Sequence, residues 1–297
     1  MEMHQLRYVV AVARTGNFSR AAEQCHVSQP SLSQQILKLE VDLGERLFDR
    51  MKRVNKLTPY GEAFLQRAVR ILQEAEAAQR EAAEAKDLLR GTVGIGVLPT
   101  IAPYLLPDAM VEFTSMYPGV ETIVQEDTTA QLLKNTLACE IDFALVSRPI
   151  NDERLSVQDL FAEELLLALP PGHPLKSKRH VTIADLAGER LIVMKEGHCL
   201  GDQVLGFCGR GDLRPQISFR SAQLETIQAL VRAGLGISLI PAMAIPGNQG
   251  DLLEYRSLTS PRPQRKVVAI WPKHRVPGKA AKELLKVISN RFVKAIH

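Results

Sequence analysis

The chain has 297 residues, 45% hydrophobic and 24% charged, which is ordinary globular usage and excludes collagen, fibrous coiled coil and a disordered chain. At about 100–200 residues per domain there is room for two or three domains. The formal net charge of +4 comes from 37 basic and 33 acidic residues. That excess is too small to name a nucleic-acid partner, so only the distribution of the cations can.

The opening segment, Met1 to Ser19, has no basic region leading an unbroken apolar core, so no export signal is expected and the chain reads as cytoplasmic. Residues 18–40 read as two short helices around a tight turn. Ser19 is expected to cap the first, with Ala21, Ala22 and Cys25 on one face, and His26-Val27 makes the turn. Ser28 is expected to cap the second, whose inner face is Leu32, Ile36 and Leu39. Its other face is polar and amide-rich: Gln29, Ser31, Ser33, Gln34 and Lys38, with Pro30 in the first turn. Such a face fits the major groove of DNA, where Gln pairs bidentately with adenine and Ser serves as donor or acceptor. An ordinary helical hairpin with a solvated face is the alternative on pattern alone. Arg50, Lys52, Arg53 and Lys56 follow as a cationic stretch suited to phosphates, which positions a protein without reading sequence.

A long helix over 59–90 is expected next, opened by Thr58 as N-cap and Pro59 at its first position. Phe64, Ala68, Ile71, Ala75, Ala78, Ala82, Ala85 and Leu89 recur every four and three residues. This is a narrow heptad seam suited to a second copy of the same helix. A solvated spacer, with alanine chosen for helix propensity, is the alternative.

From Gly91 onward short β-rich runs alternate with helical patterns, an α/β arrangement. Strands are expected at Thr92–Val97, Glu121–Gln125, Asp142–Val146, Glu164–Leu169, Arg190–Met194, Gln216–Phe219, Gly236–Ile240 and Lys266–Trp271. Helices are expected at Ala130–Cys139, Ala222–Ala233 and Lys279–Ile296. Gly91 to Pro99 lacks the third glycine of a dinucleotide-binding turn, and no phosphate-loop, zinc-protease or calcium-loop pattern is present. The longest apolar stretch, Gly234 to Gly247, is broken by Pro241 and Pro246 and is too short to span a bilayer. Cys25, Cys139, Cys199 and Cys208 show no metal-ligand spacing, so no metal or other cofactor is expected.

Residues 1–90 resemble the N-terminal module of LysR-type transcriptional regulators. The resemblance rests on Leu6, the run Gly16 to Ala22, the run Val27 to Ser33, Ile36, Leu39-Glu40, Leu43-Gly44, Leu47-Phe48 and Thr58-Pro59-Tyr60-Gly61, and it extends over the whole chain. It implies an α/β protein with a winged helix-turn-helix over 1–58 and a dimerising linker helix over 59–90. A two-lobed regulatory domain like a periplasmic binding protein would fill 91–297. Lobe I would combine about 91–161 with 266–297, and lobe II would span about 162–265. It also implies double-stranded promoter DNA as partner, a homodimer or homotetramer, contact with RNA polymerase, and no membrane or enzymatic role.

Gly197-His198-Cys199-Leu200, Asp202-Gln203 and Gly206-Phe207-Cys208 narrow the resemblance to peroxide-sensing members of that family, although Gly201 stands where some carry a basic residue. By it, Cys199 is the thiol that meets hydrogen peroxide and Cys208 the one that closes a reversible disulfide, which a cellular thiol reductant reopens. Thr100, Thr129, His198 and Arg265 would hold and polarise the peroxide. On chemistry alone two buried thiols, and helix caps at Thr100 and Thr129, remain the alternatives. So does a family member that answers to an organic effector with passive cysteines. A helix N-terminus at Cys199 would favour its thiolate. If 199–208 is one helix, about 13 Å separates the two Cα atoms, on opposite faces, whereas a disulfide needs about 4.4–6.8 Å. Bridging would require the segment to refold.

Overall fold

The computed structural model describes residues 1–49, 56–84, 90–210, 215–245, 253–259 and 262–295. The chain divides into two compact units, Met1–Leu88 and Leu89–His297.

In the first unit, helices α1 (Met3–Thr15), α2 (Phe18–Gln24) and α3 (Gln29–Leu43) enclose a small core of Val9, Val12, Ala21, Leu32, Ile36, Leu39, Leu47 and Phe48. The cap of α2 is Asn17 rather than Ser19: its Oδ1 accepts from the backbone N–H of Ser19 at 2.8 Å and of Arg20 at 3.2 Å. Asn at that position serves the same free N–H groups as Ser, so the start moved back by two residues. Ser28 caps α3 as expected, accepting from Ser31 N–H at 3.3 Å. The turn between them puts His26 at φ 54°, with Val27 packed on the core. Two-residue strands β1 (Phe48–Asp49) and β2 (Lys56–Leu57) pair antiparallel as the base of a wing. The buried Glu40 carboxylate accepts from Leu47 N–H and Phe48 N–H, which fixes β1 to α3.

Helix α4 (Pro59–Glu84) begins where Thr58 Oγ1 accepts from Gly61 N–H at 2.9 Å and donates to the Arg46 carbonyl at 2.6 Å. A Cβ on Gly61 would lie 2.1 Å from the Leu47 carbonyl oxygen, so only glycine lets the helix start against that backbone. Phe64 and Ala68, the first two residues of the heptad, pack within this chain, Ala68 fully buried in a cluster with Leu6 of α1. Ile71 is 40% exposed and Ala75 is half-buried. The side chains of Ala78 and Ala82, and all of Ala85 and Leu89, lie outside the described residues, as do Arg50, Lys52 and Arg53 of the cationic stretch.

The second unit is built on a twisted mixed sheet. Its elements run β3 (Gly91–Val97), α5 (Ala102–Met116), β4 (Val120–Glu126), α6 (Thr129–Leu137), β5 (Phe143–Ser147) and β6 (Leu155–Leu169). They continue through β7 (Arg190–Met194), α7 (Cys199–Arg210), β8 (Gln216–Ser221), α8 (Leu224–Arg232), β9 (Ser238–Pro241), β10 (Glu254–Arg256), β11 (Gln264–Pro272) and α9 (Lys279–Ala295). The strand order is β10-β6-β11-β5-β3-β4, with β9 also on β6, while β7 and β8 form a separate parallel pair. Parallel β3–β4 and β3–β5 are linked by the crossover helices α5 and α6, the usual consequence of parallel pairing.

Two hydrophobic cores result. One gathers β3, β5 and β11 under α5 and α9, with Ile95, Phe113, Phe143 and Ile270 fully buried. The other gathers Leu165 and Leu167 of β6, the β7 strand, and Leu200, Val204, Phe207 and Cys208 of α7. Strand β6 passes from one to the other. Leu155 to Glu164 pair with β11 across a bulge, and Leu165 to Leu169 pair with β9 and β10. The sequence expectation caught only the apolar end, from Glu164. The stretch before it, Ser156 to Glu163, mixes strand formers such as Val157 and Phe161 with Asp159, Ala162 and Glu163, which strands disfavour, and cross-strand pairing with β11 settles the conformation.

Candidate functional site

The polar site lies where the two cores meet, and it starts from one buried cation. Arg265, near the start of β11, stands directly opposite Glu163 of β6 in the antiparallel register. Its side chain is fully buried. Arg265 Nε donates to Glu163 Oε1 at 2.6 Å, Nη1 to Thr100 Oγ1 at 3.0 Å, and Nη2 to the Thr100 carbonyl at 3.0 Å. The other Glu163 oxygen accepts from Met243 N–H at 2.9 Å. A buried guanidinium is tolerable only with partners of this kind, since an unpaired charge in a dry interior costs several kcal/mol. Glu163 was not among the sequence candidates. A carboxylate in a half-exposed strand carries no signal until the register puts it beside an arginine.

Cys199 is the first residue of α7, half-buried, and packs on the core beneath β3 and β11. Burial, the largest influence, raises its thiol above the ordinary cysteine value, and the Asp202 carboxylate adds to the rise. The neighbouring Thr129 hydroxyl, the Arg265 charge and the Leu200 backbone N–H favour the thiolate and pull the other way without overcoming it. The expected low thiol value at a helix N-terminus is therefore corrected: desolvation outweighs the helix end. The thiolate still has its stabilisers in place once a proton leaves.

Thr100 is buried and receives Arg265, while the α5 cap position is Ile101. Thr129 is the first residue of α6, whose cap is Thr128, accepting from Gln131 N–H at 3.5 Å. Neither threonine is thus a helix cap. The Thr129 hydroxyl oxygen is buried without a hydrogen-bond partner in the resting site, which leaves it free to serve the Cys199 sulfur once that ionises, or a polar group brought beside it. The structure brings Thr100, Thr129, Cys199 and Arg265 together. The His198 ring is half-buried and makes no hydrogen bond to any of them.

Cys208 lies nine residues along the same helix, fully buried in the second core, with its thiol raised by burial. Both thiols are free. Helix α7 is continuous through both, which puts their Cα atoms roughly 13 Å apart at about 1.5 Å per residue. Gly201 has a packing reason: a Cβ there would stand 2.7 Å from the Met194 carbonyl oxygen, so β7 and α7 approach too closely for any side chain. A basic residue at this position would push the helix start outward. Cys25 packs on the core of the first unit and Cys139 is buried at the end of α6.

Two further side-chain links cross between the cores. Tyr104 of α5 donates to Glu225 Oε1 at 3.0 Å at the start of α8, and burial with that carboxylate pushes the phenol well up. Gln203 of α7 donates through Nε2 to Ser147 Oγ and to the Arg148 carbonyl, both at 2.7 Å. Among the described residues no group of three His, Cys, Asp or Glu could hold a metal ion, and no helix is long and apolar enough to cross a membrane.

In the first unit, Gln29, Pro30, Ser31, Gln34 and Lys38 are exposed along α3 and Ser33 is half-exposed. One polar face of a helix is thus presented beside a two-stranded wing, the arrangement of a winged helix-turn-helix.

Family comparison gives the same class. Residues 3–62 match the LysR-family bacterial regulatory helix-turn-helix, and residues 86–293 match the LysR substrate binding domain. The chain belongs to the LysR family of DNA-binding transcriptional regulators. Within that family it is 35% identical to the hydrogen peroxide-inducible genes activator of Pectobacterium carotovorum subsp. carotovorum, over 91% of this chain and 90% of the relative. Its fold is similar to full-length OxyR C199D from Pseudomonas aeruginosa, with a TM-score of 0.80 and 31% identity over 98% and 94% of the two chains. It is also similar to a hydrogen-peroxide-bound OxyR mutant of Corynebacterium glutamicum, with a TM-score of 0.67 and 29% identity over 99% and 94%.

Proposed function

We propose that this chain is a hydrogen-peroxide-responsive transcriptional regulator, switched by a reversible disulfide between Cys199 and Cys208. The observation that carries the reading is a half-buried thiol at the start of α7 between a buried arginine and an unpartnered threonine hydroxyl. The names of the relatives support the signal. In the first step the Cys199 thiolate attacks one peroxide oxygen and the O–O bond breaks. The departing hydroxide takes a proton and leaves as water, and sulfenic acid remains on Cys199. Thr129 and Thr100 hold the peroxide, with His198 as a further donor once the ring turns inward. Arg265 stabilises the negative charge on the leaving oxygen.

In the second step the Cys208 sulfur displaces the sulfenic hydroxyl as a second water. Overall two thiols and one peroxide give one disulfide and two waters. A cellular dithiol reverses the bridge by exchange. Because α7 holds the thiols far apart, the second step requires that helix to unwind, and the refolded segment is the element that oxidation biases.

The readout is DNA binding in the cytoplasm by a homodimer or homotetramer. Face α3 reads bases, Arg50, Lys52 and Arg53 grip phosphates, and the seam from Phe64 to Leu89 joins two copies. Contact with RNA polymerase completes the output. Trapping tests the chemistry: Cys208→Ser should accumulate a dimedone-reactive sulfenic acid on Cys199 after near-stoichiometric peroxide. Absence of any adduct at Cys199 would remove the proposed first step.

A further inference from the structure

We infer that Gln203 is a positioning residue that latches α7 in its reduced, helical form and so sets how readily the thiol switch closes. The inference rests on the refolding step proposed above and adds the contact that refolding has to break.

Gln203 lies one helical turn beyond Cys199, on the face of α7 that carries Cys199 toward the first core. Its Nε2 donates both to Ser147 Oγ and to the Arg148 carbonyl, at 2.7 Å each. The backbone carbonyl can only accept, so the amide orientation is fixed with nitrogen inward. Ser147 is itself buried and passes its hydroxyl hydrogen to the Lys266 carbonyl at 3.3 Å, which also accepts from Arg148 N–H at 2.9 Å. A chain of hydrogen bonds therefore runs from α7 through the end of β5 to the β11 residue next to Arg265. It ties the helix that must unwind to the strand that holds the cation.

The latch is also poised. Gln203 Oε1 is buried without a hydrogen-bond partner, so the held pose carries an unsatisfied oxygen that unwinding would release to water. Two good bonds and one orphan atom on a single amide make a contact that holds the helix firmly enough to define the resting state. They also leave it breakable when a disulfide is gained. Neither bond touches the peroxide-binding groups, so the latch acts on the second chemical step and not on the first.

The test uses the full chain and separates the two steps. In a Cys208→Ser background, Gln203→Leu should leave the rate of sulfenic acid formation on Cys199 unchanged. With Cys208 present, Gln203→Leu should speed closure of the disulfide from the sulfenic acid by roughly ten- to thirtyfold. Ser147→Ala, which removes one of the two bonds that Gln203 makes, should speed it by roughly three- to tenfold. Amide exchange of residues 199–208 in the fully reduced protein should rise by similar factors. Unchanged exchange and closure in both variants would overturn the latch, as would a variant that slowed the first step instead. The exchange arm needs no peroxide, so it judges the latch even if no disulfide forms in the unaltered protein. That outcome would count against the switch alone. Should Gln203→Leu fail to fold, Ser147→Ala decides between the two outcomes.

Discussion

Arg265 sits fully buried with three polar contacts, and Cys199 feels its charge. Removing only the arginine leaves the Glu163 carboxylate buried and unpaired, which costs about 3–5 kcal/mol. Arg265→Gln should therefore lower the denaturant midpoint markedly, and Glu163→Gln added to it should restore part of the loss because no bare charge remains. The double variant then reports the chemistry. Thiol reactivity follows the thiolate, and the Cys199 thiol is held above its ordinary value, so alkylation and oxidation rates should rise with pH through that raised value. Without the Arg265 charge the thiol rises further. The whole rate–pH profile should move to higher pH, and below the midpoint the rate at a fixed pH should fall about tenfold for every pH unit the profile moves. A profile that stayed put, or moved to lower pH, would show that the guanidinium does not act on the thiol. Legibility at this scale was uneven. Thr100, Thr129 and Cys199 were visible as residues, whereas Glu163 and Ser147 acquire meaning only through strand register and helix docking that no local pattern encodes.

The elements were legible where one face is apolar and periodic. Leu32, Ile36 and Leu39 of α3, and the apolar runs of β3, β5 and β7, all fall in the cores. The polar first half of β6 was not, because its pairing comes from β11 rather than from its own composition. Helix α5 (Ala102–Met116) carries Pro103 and Pro107 near its start, which hid a regular helix behind loop-like residues. On α3 the exposed amides make a direct prediction. Gln34→Ala should cost about 1–3 kcal/mol of discrimination at one base pair of the operator while leaving binding to random DNA nearly unchanged. Parallel titrations on specific and random duplexes measure it. Equal losses on both would mean that Gln34 does not read a base.

For the whole molecule, α4 keeps its first heptad positions for its own first unit, and Ile71 is the first large seam residue open to a partner. Ala78→Glu should then weaken the association of two copies, because a charge in a close helical seam meets no partner there. Sedimentation should show a smaller species with reduced operator affinity. An unchanged oligomer with full affinity would make the helix a spacer. The most direct test of the account as a whole is mass mapping of disulfides after near-stoichiometric peroxide on the full chain. One bridge, Cys199–Cys208, is expected, with Cys25 and Cys139 still reduced, and none in Cys199→Ser. A different pairing, or a promoter response to peroxide that survives Cys199→Ser, would contradict it.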